Sequence, residues 1–321
     1  MSASHHPGPD APLHLFGPLR SRRLGLSLGI DIIPRKTCTL DCVYCEVGLT
    51  TRFAVDPAPY FDAGGVAAEI EAALAARPDI EWITFSGSGE PTLNALLGPM
   101  IREVKKRTAV PVAVITNGTL LWNPEVRRAL LDADAVLPSL DAVSAEAFRR
   151  VNRPHPLLDA AAVVEGLVAL RREYHGRIWL EILFVEGMND SDEEVRMLQE
   201  AVRRILPDKL HLNTVVRPPA ESWARPISAR RMREIAAQFG RHCEIVCPVP
   251  PAEDLPMLAA DEVTLLQLLA RRPMRAEELC DSLNAGMGTL TPLLRQLVEA
   301  GLVERRLFEK EEFFALRAPS L

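Results

Sequence analysis

Cys38-Thr-Leu-Asp-Cys42-Val-Tyr-Cys45 holds three of the chain's six cysteines within eight residues. Soft thiolates at this spacing converge on one metal centre, and three is one fewer than a closed tetrahedral site needs. Zinc would ask for a fourth ligand, a second Cys pair or a His at ligand spacing. The next His after the loop is His155. A cube of four irons held by three cysteines instead keeps one iron open for another ligand. Cysteines are often merely buried small hydrophobes, but this loop is polar, with Thr37, Thr39 and Asp41 among the thiols.

Outward from the loop, strands and helices alternate. Ser27–Ile33 reads as a first strand, running into the cysteines. Ile80–Phe85, Val110–Thr116, Ala133–Leu140, Arg177–Val185 and Lys209–Val216 follow as further strands, each after a helical stretch. Cys243–Cys247 is a candidate for one more. Strand-helix alternation predicts a parallel sheet, and six such units predict an α/β fold, a partial (β/α)6 TIM-like barrel, over residues 15–250. The glycine-rich and polar segments fall just after strands, on the face where such barrels build their sites. A Pro-rich linker, 251–257, leads to residues 258–321. There, three helical stretches and two short strands predict a small winged helix-turn-helix domain.

The 321 residues carry a net charge of -6, which gives no general pull toward nucleic acid or anionic lipid. Residues 258–321 hold ten Asp/Glu and eight Lys/Arg, and Arg295 is the only base on the expected recognition helix. Peptide docking or capping of the barrel therefore competes with nucleic-acid binding for this domain. No apolar run reaches the length of a membrane span. Residues 1–14 lack an apolar signal-peptide core and read as a disordered lead-in. Six cysteines in a chain this long make no disulfide scaffold, and the expected location is the reducing cytoplasm.

The C-x3-C-x2-C spacing, with Tyr44 before the third Cys, resembles the cluster loop of the radical S-adenosylmethionine (SAM) enzymes. The resemblance implies a [4Fe–4S] cluster on Cys38, Cys42 and Cys45, with SAM on the open iron. It also implies an electron donor such as flavodoxin or ferredoxin, and hydrogen abstraction from a substrate. Tyr44 would pack against the adenine, or simply cover the cluster. Gly87-Ser-Gly89-Glu90-Pro91-Thr92 resembles the segment that takes the SAM amino group, its glycines allowing close backbone approach. Ser139 and Asp141 stand where the family holds the ribose or carboxylate, though Asp141 is equally a helix cap. Asn117 reads either as a ligand-facing amide or as an ordinary Asn-Gly turn. Glu181, in an apolar strand, needs a partner if it points inward, and Asn213 raises the same question.

Phe16–Asp31, Asn152-Arg153-Pro154 and Arg217-Pro218-Pro219 narrow the likeness to a bacterial and archaeal group similar to the tRNA wyosine synthases. Its substrate is unidentified, with tRNA, another modified biomolecule or a peptide as candidates. The wyosine synthases carry a second cluster on earlier cysteines, and no Cys precedes Cys38. Lys36 is the only Lys near the loop. Arg22, Arg23, Arg153 and Arg217 are candidates to grip an anionic substrate, against ordinary salt bridging. Cys243, Cys247 and Cys280 read as buried thiols or as ligands of an auxiliary cluster. The alternative function is a metal- or redox-sensing protein acting through the C-terminal domain.

Overall fold

A computed structural model describes residues 14–61, 63–240, 242–246, 261–283 and 285–317. The expected lead-in up to residue 13, the linker 251–257 and Cys247 lie outside the described residues. The chain opens with β1 (Leu15–Ser21), β2 (Gly25–Ile30) and two two-residue strands, β3 (Thr37–Cys38) and β4 (Arg52–Phe53). It continues α1 (Ala63–Ala76), β5 (Trp82–Phe85), α2 (Leu97–Arg107), β6 (Val112–Thr116), α3 (Pro124–Leu130) and β7 (Ala135–Pro138). Then come α4 (Ala145–Val151), α5 (Ala160–Glu173), β8 (Arg177–Phe184), α6 (Asp192–Ile205), β9 (Lys209–Thr214), α7 (Ala229–Phe239) and β10 (Cys243–Ile245).

One eight-stranded sheet runs β1-β2-β5-β6-β7-β8-β9-β10. From β2 to β10 every pairing is parallel and neighbours follow chain order, each crossover carrying a helix. That winding is a barrel's, and its edges, β1 and β10, make it a partial one. The further strand expected at Cys243–Cys247 is β10, a seventh parallel strand. β1 pairs antiparallel with β2 and went unread in the sequence. Its Pro18 and arginines depress strand propensity, and Pro is tolerated at such an edge, beside the register shift between Phe16 and Leu19.

Side chains alternate across the strands. Ile83, Phe85, Val114, Val136, Ile178, Leu180 and Ile182 belong to the large core under the helices. The opposite face begins with an apolar plug of Leu24, Ala113, Ala135, Leu137 and Trp179, against which Trp82 stacks edge-on. Above the plug the interior turns polar, with Ser27, Thr84, Glu181 and Asn213. Helix starts are written locally: Asn123, Ser144, Asp159, Ser191 and Ser228 each cap the helix that follows.

The tail contains α8 (Glu262–Arg271), α9 (Ala276–Leu283) and α10 (Met287–Glu299), then the antiparallel pair β11 (Val303–Phe308) and β12 (Glu311–Leu316). It has its own core, built on Leu265, Leu269, Leu279, Leu290, Leu294 and Phe314, and Leu19 of β1 packs onto it. Phe308 and Phe313 pack instead with Val43, Val151 and Val185, beside the cysteine loop. The tail thus lies along β1 and reaches the mouth of the barrel. Among the described residues no helix is long and apolar enough to cross a membrane.

Candidate functional site

The cysteine loop leaves the carboxyl end of β2 and is pinned from several sides. The Glu90 N–H donates to the carbonyl of Thr37 (3.1 Å), Asp41 N–H to that of Asn152 (3.0 Å) and Val43 N–H to that of Val151 (2.9 Å). Gly87 and Gly89 make this packing possible. A Cβ on Gly87 would meet the Asp31 carboxyl at 2.4 Å, and one on Gly89 the Thr37 carbonyl at 2.1 Å. Close approach is therefore to the cysteine loop itself, which the glycine-rich turn braces.

Each cysteine sulfur has an N–H donor from a different segment. Asn117 Nδ2 lies 3.5 Å from Cys38 Sγ, Asn152 Nδ2 3.4 Å from Cys42 Sγ, and Lys36 Nζ 3.2 Å from Cys45 Sγ. Burial raises the Cys38 thiol to about 11, and burial together with Asp141 raises Cys42 well above its ordinary range. Metal binding would deprotonate both outright. Burial opposes charge on Lys36, but all three thiols act on it and raise its affinity for the proton overall. Lys36 itself holds a left-handed backbone, φ 56°, while its carbonyl accepts from Thr51 and Arg52.

Among the described residues no three His, Cys, Asp or Glu side chains gather tightly enough to enclose one metal ion. A zinc ion needs its sulfurs about 2.3 Å from a single point. A four-iron cube takes each thiolate at a separate corner. Three sulfurs each met by an N–H suit a negatively charged cluster.

Around the loop, most expected residues come together. Tyr44 donates its hydroxyl to Asp141, whose carboxylate also accepts from Asn152 Nδ2 (2.8 Å) and Leu183 N–H (2.9 Å). Burial moves Asp141 up to about 6 against those hydrogen bonds. The cap of α4 is Ser144, so Asp141 is not a helix cap. Asn117 also bonds Thr39 Oγ1 (2.7 Å) and Thr119, and so does more than turn the chain. Glu90 is buried and accepts from Thr92 N–H (3.0 Å), Thr92 Oγ1 (2.6 Å), Thr116 Oγ1 (2.6 Å) and Asn117 N–H (2.8 Å). Pro91 opens the short helical turn Pro91–Leu93 that Glu90 caps. Ser139 bridges to Glu181 across β7 and β8.

The arginines divide. Glu181 pairs with Arg23, Arg153 with Glu221 (2.5 Å), and Arg217 with Glu278 through two bonds of 2.6 and 2.9 Å. Arg22 has no carboxylate partner among the described residues and reaches Asn213 Oδ1 at 3.4 Å. Cys243 packs against the main core, and burial raises its thiol to about 12. Cys280 lies in the tail beside Met287 (3.3 Å). Reading the sequence missed Asn152 and the tail's Arg272, treated below; only the Asn-Arg-Pro break between two helical stretches pointed at the former.

The Radical SAM superfamily model matches residues 32–198, just over half of the chain. A protein named GTPase Obg from Brachyspira hyodysenteriae is 36% identical over 296 residues, 91% of this chain and 44% of that protein. The chain therefore spans less than half of that relative's length, and it contains no G-x4-G-K-[ST] phosphate loop. UPF0026 protein MJ1312 from Methanocaldococcus jannaschii is 34% identical, with 70% of each chain covered. Among solved structures, a radical SAM methyltransferase from Sphaerobacter thermophilus shares the fold at TM-score 0.52 and 20% identity, over 68% of this chain and 65% of that one. With the cysteine loop inside the matched span and a partial parallel barrel around it, the chain belongs to the radical SAM superfamily.

Proposed function

We propose that this radical SAM enzyme binds its cluster through Cys38, Cys42 and Cys45 and acts on an anionic biomolecule, with tRNA, another modified biomolecule or a peptide as candidates. It is proposed to stand in the group similar to the tRNA wyosine synthases, on the flanking motifs quoted above. The observation that carries the reading is the N–H donor on each of three sulfurs, at the carboxyl end of a parallel barrel. When bound, the cluster and SAM supply one-electron cleavage and hydrogen abstraction, the electron coming from flavodoxin or ferredoxin. The chain's own residues do the placing. Tyr44, its hydroxyl tied to Asp141, offers a fixed ring face to an adenine. Gly87–Pro91 presents backbone groups to the amino end of SAM. Asn117, Ser139, Asp141, Glu181 and Asn213 line the way inward. Lys36 and the two asparagines favour negative charge at the sulfurs.

The tail, proposed as a winged-helix-like domain of residues 258–321, shields the mouth through Phe308 and Phe313. A match to an enzyme superfamily across residues 32–198 gives the sensing alternative no support. The test is anaerobic loading with iron and sulfide, reduction, and addition of SAM. Release of 5′-deoxyadenosine by wild type and none by Cys42→Ala is expected; none from cluster-loaded wild type defeats the reading.

A further inference from the structure

Against β1, β2 and β5, beside the tail, lies a cavity of about 140 Å³. A water's share of liquid volume is about 30 Å³, so it has room for one small group. Its walls include Arg20, Arg22, Arg23 and Arg272, with Ser27 and Thr84 on the strands, and no acidic residue lines it. Three of these arginines come from β1 and the turn after it. Arg272 comes from the tail, directly after α8.

The surrounding charges do not balance. Arg23 is matched by Glu181. Arg217 takes Glu278, with Glu46 at 3.5 Å. Arg20, Arg22 and Arg272 are left without an ion pair among the described residues, all lining the cavity, with Arg20 exposed to water. Among the described residues no hydrogen bond or ion pair engages Arg272, and its Nε is buried without a partner. Burial and the neighbouring Arg217 lower its guanidinium to about 10 against the pull of Glu46 and Glu278, and burial lowers that of Arg22 against Glu46 and Glu181. A half-buried guanidinium with no carboxylate in contact gains from an anion, and its planar fork matches an oxyanion with two bonds.

We propose that this cavity is a binding site for a phosphate or carboxylate group of the substrate, held by Arg22 from the barrel and Arg272 from the tail. The tail then completes the substrate site. The role rests on the radical SAM reading; the binding itself does not.

The test is calorimetry on the full, cluster-loaded chain saturated with SAM, so that the open iron is taken. Sodium phosphate and sodium acetate are titrated separately. Saturable binding of either is expected, the tighter one naming the group. Arg22→Gln and Arg272→Gln should each weaken it about tenfold or more, as for loss of a charged hydrogen bond. No binding to wild type overturns the proposal, as does equal affinity in the folded variants. Binding seen only without SAM means that the cavity holds the SAM carboxylate, and also overturns it. Because Arg272→Gln removes an unpaired charge, it should melt no lower than wild type; a lower melt, not rescued by Arg272→Lys, marks a packing role and counts against it. Absence of 5′-deoxyadenosine alongside intact phosphate binding would sink the catalytic reading and leave the site standing.

Discussion

Lys36 Nζ lies 3.2 Å from Cys45 Sγ, a buried cation against a cluster-loop sulfur. A positive charge there favours the more negative, reduced cluster. Replacing Lys36 by Met should therefore shift the midpoint potential downward. A charged hydrogen bond of about 1.5–3 kcal/mol corresponds to roughly 60–130 mV for one electron. A redox titration followed by electron paramagnetic resonance reads this directly. An unchanged or higher potential would show that the ammonium does not face the bound cluster.

Tyr44 offers a ring to stack and a hydroxyl to anchor it on Asp141. Tyr44→Phe keeps the ring and should hold SAM affinity within a few-fold. Tyr44→Ala should weaken it about tenfold, as for loss of an aromatic contact of roughly 1–1.5 kcal/mol. Equilibrium binding to the cluster-loaded protein separates the two. Equal loss in both variants would mean that the hydroxyl, not the ring, is what counts.

Glu90 ties the loop after β5 to that after β6 through four accepted hydrogen bonds. In Glu90→Gln an amide N–H₂ must face a donor, leaving one buried group unsatisfied at about 1–3 kcal/mol. A melting temperature lower by several degrees is expected even in the protein without its cofactors. An unchanged melt with lost SAM binding would assign the carboxylate to the ligand instead.

Glu278 fastens the tail to Arg217. Burial alone would raise its carboxyl, but the Arg217 hydrogen bonds and charge hold it at about 2. A depressed folded pKa stabilises above the unfolded value near 4.5 and is lost as pH falls toward 2. Up to roughly 3 kcal/mol is at stake. Acid titration of stability should show a limb in that window for wild type, flattened in Glu278→Gln. Identical limbs would remove this pair from the tail's attachment.

Much of the barrel was legible because most strands are short aliphatic runs and the helices from α3 to α7 start at Ser, Asp or Asn caps. Strand β1 was not, since Pro18 and its arginines hide an edge strand whose pairing is settled only by β2. The cysteine loop announced its chemistry through its spacing, Tyr44 and the resemblance to a known family that these carry. Its donors did not: Asn152 is more than a hundred residues from Cys42, and only the folded chain brings them to 3.4 Å. Arg217 looked like an anion binder and is matched by Glu278, while Arg272, equally plain in sequence, has no ion pair among the described residues. Charge matching across distant segments leaves no periodic trace.

The central claim is that three thiolates hold a four-iron cube whose open iron takes SAM. It is tested most directly by electron paramagnetic resonance of the reduced, cluster-loaded protein before and after SAM is added. A reduced [4Fe–4S] signal that changes shape with SAM, and is lost in Cys38→Ala, is the predicted result. A signal indifferent to SAM would contradict it.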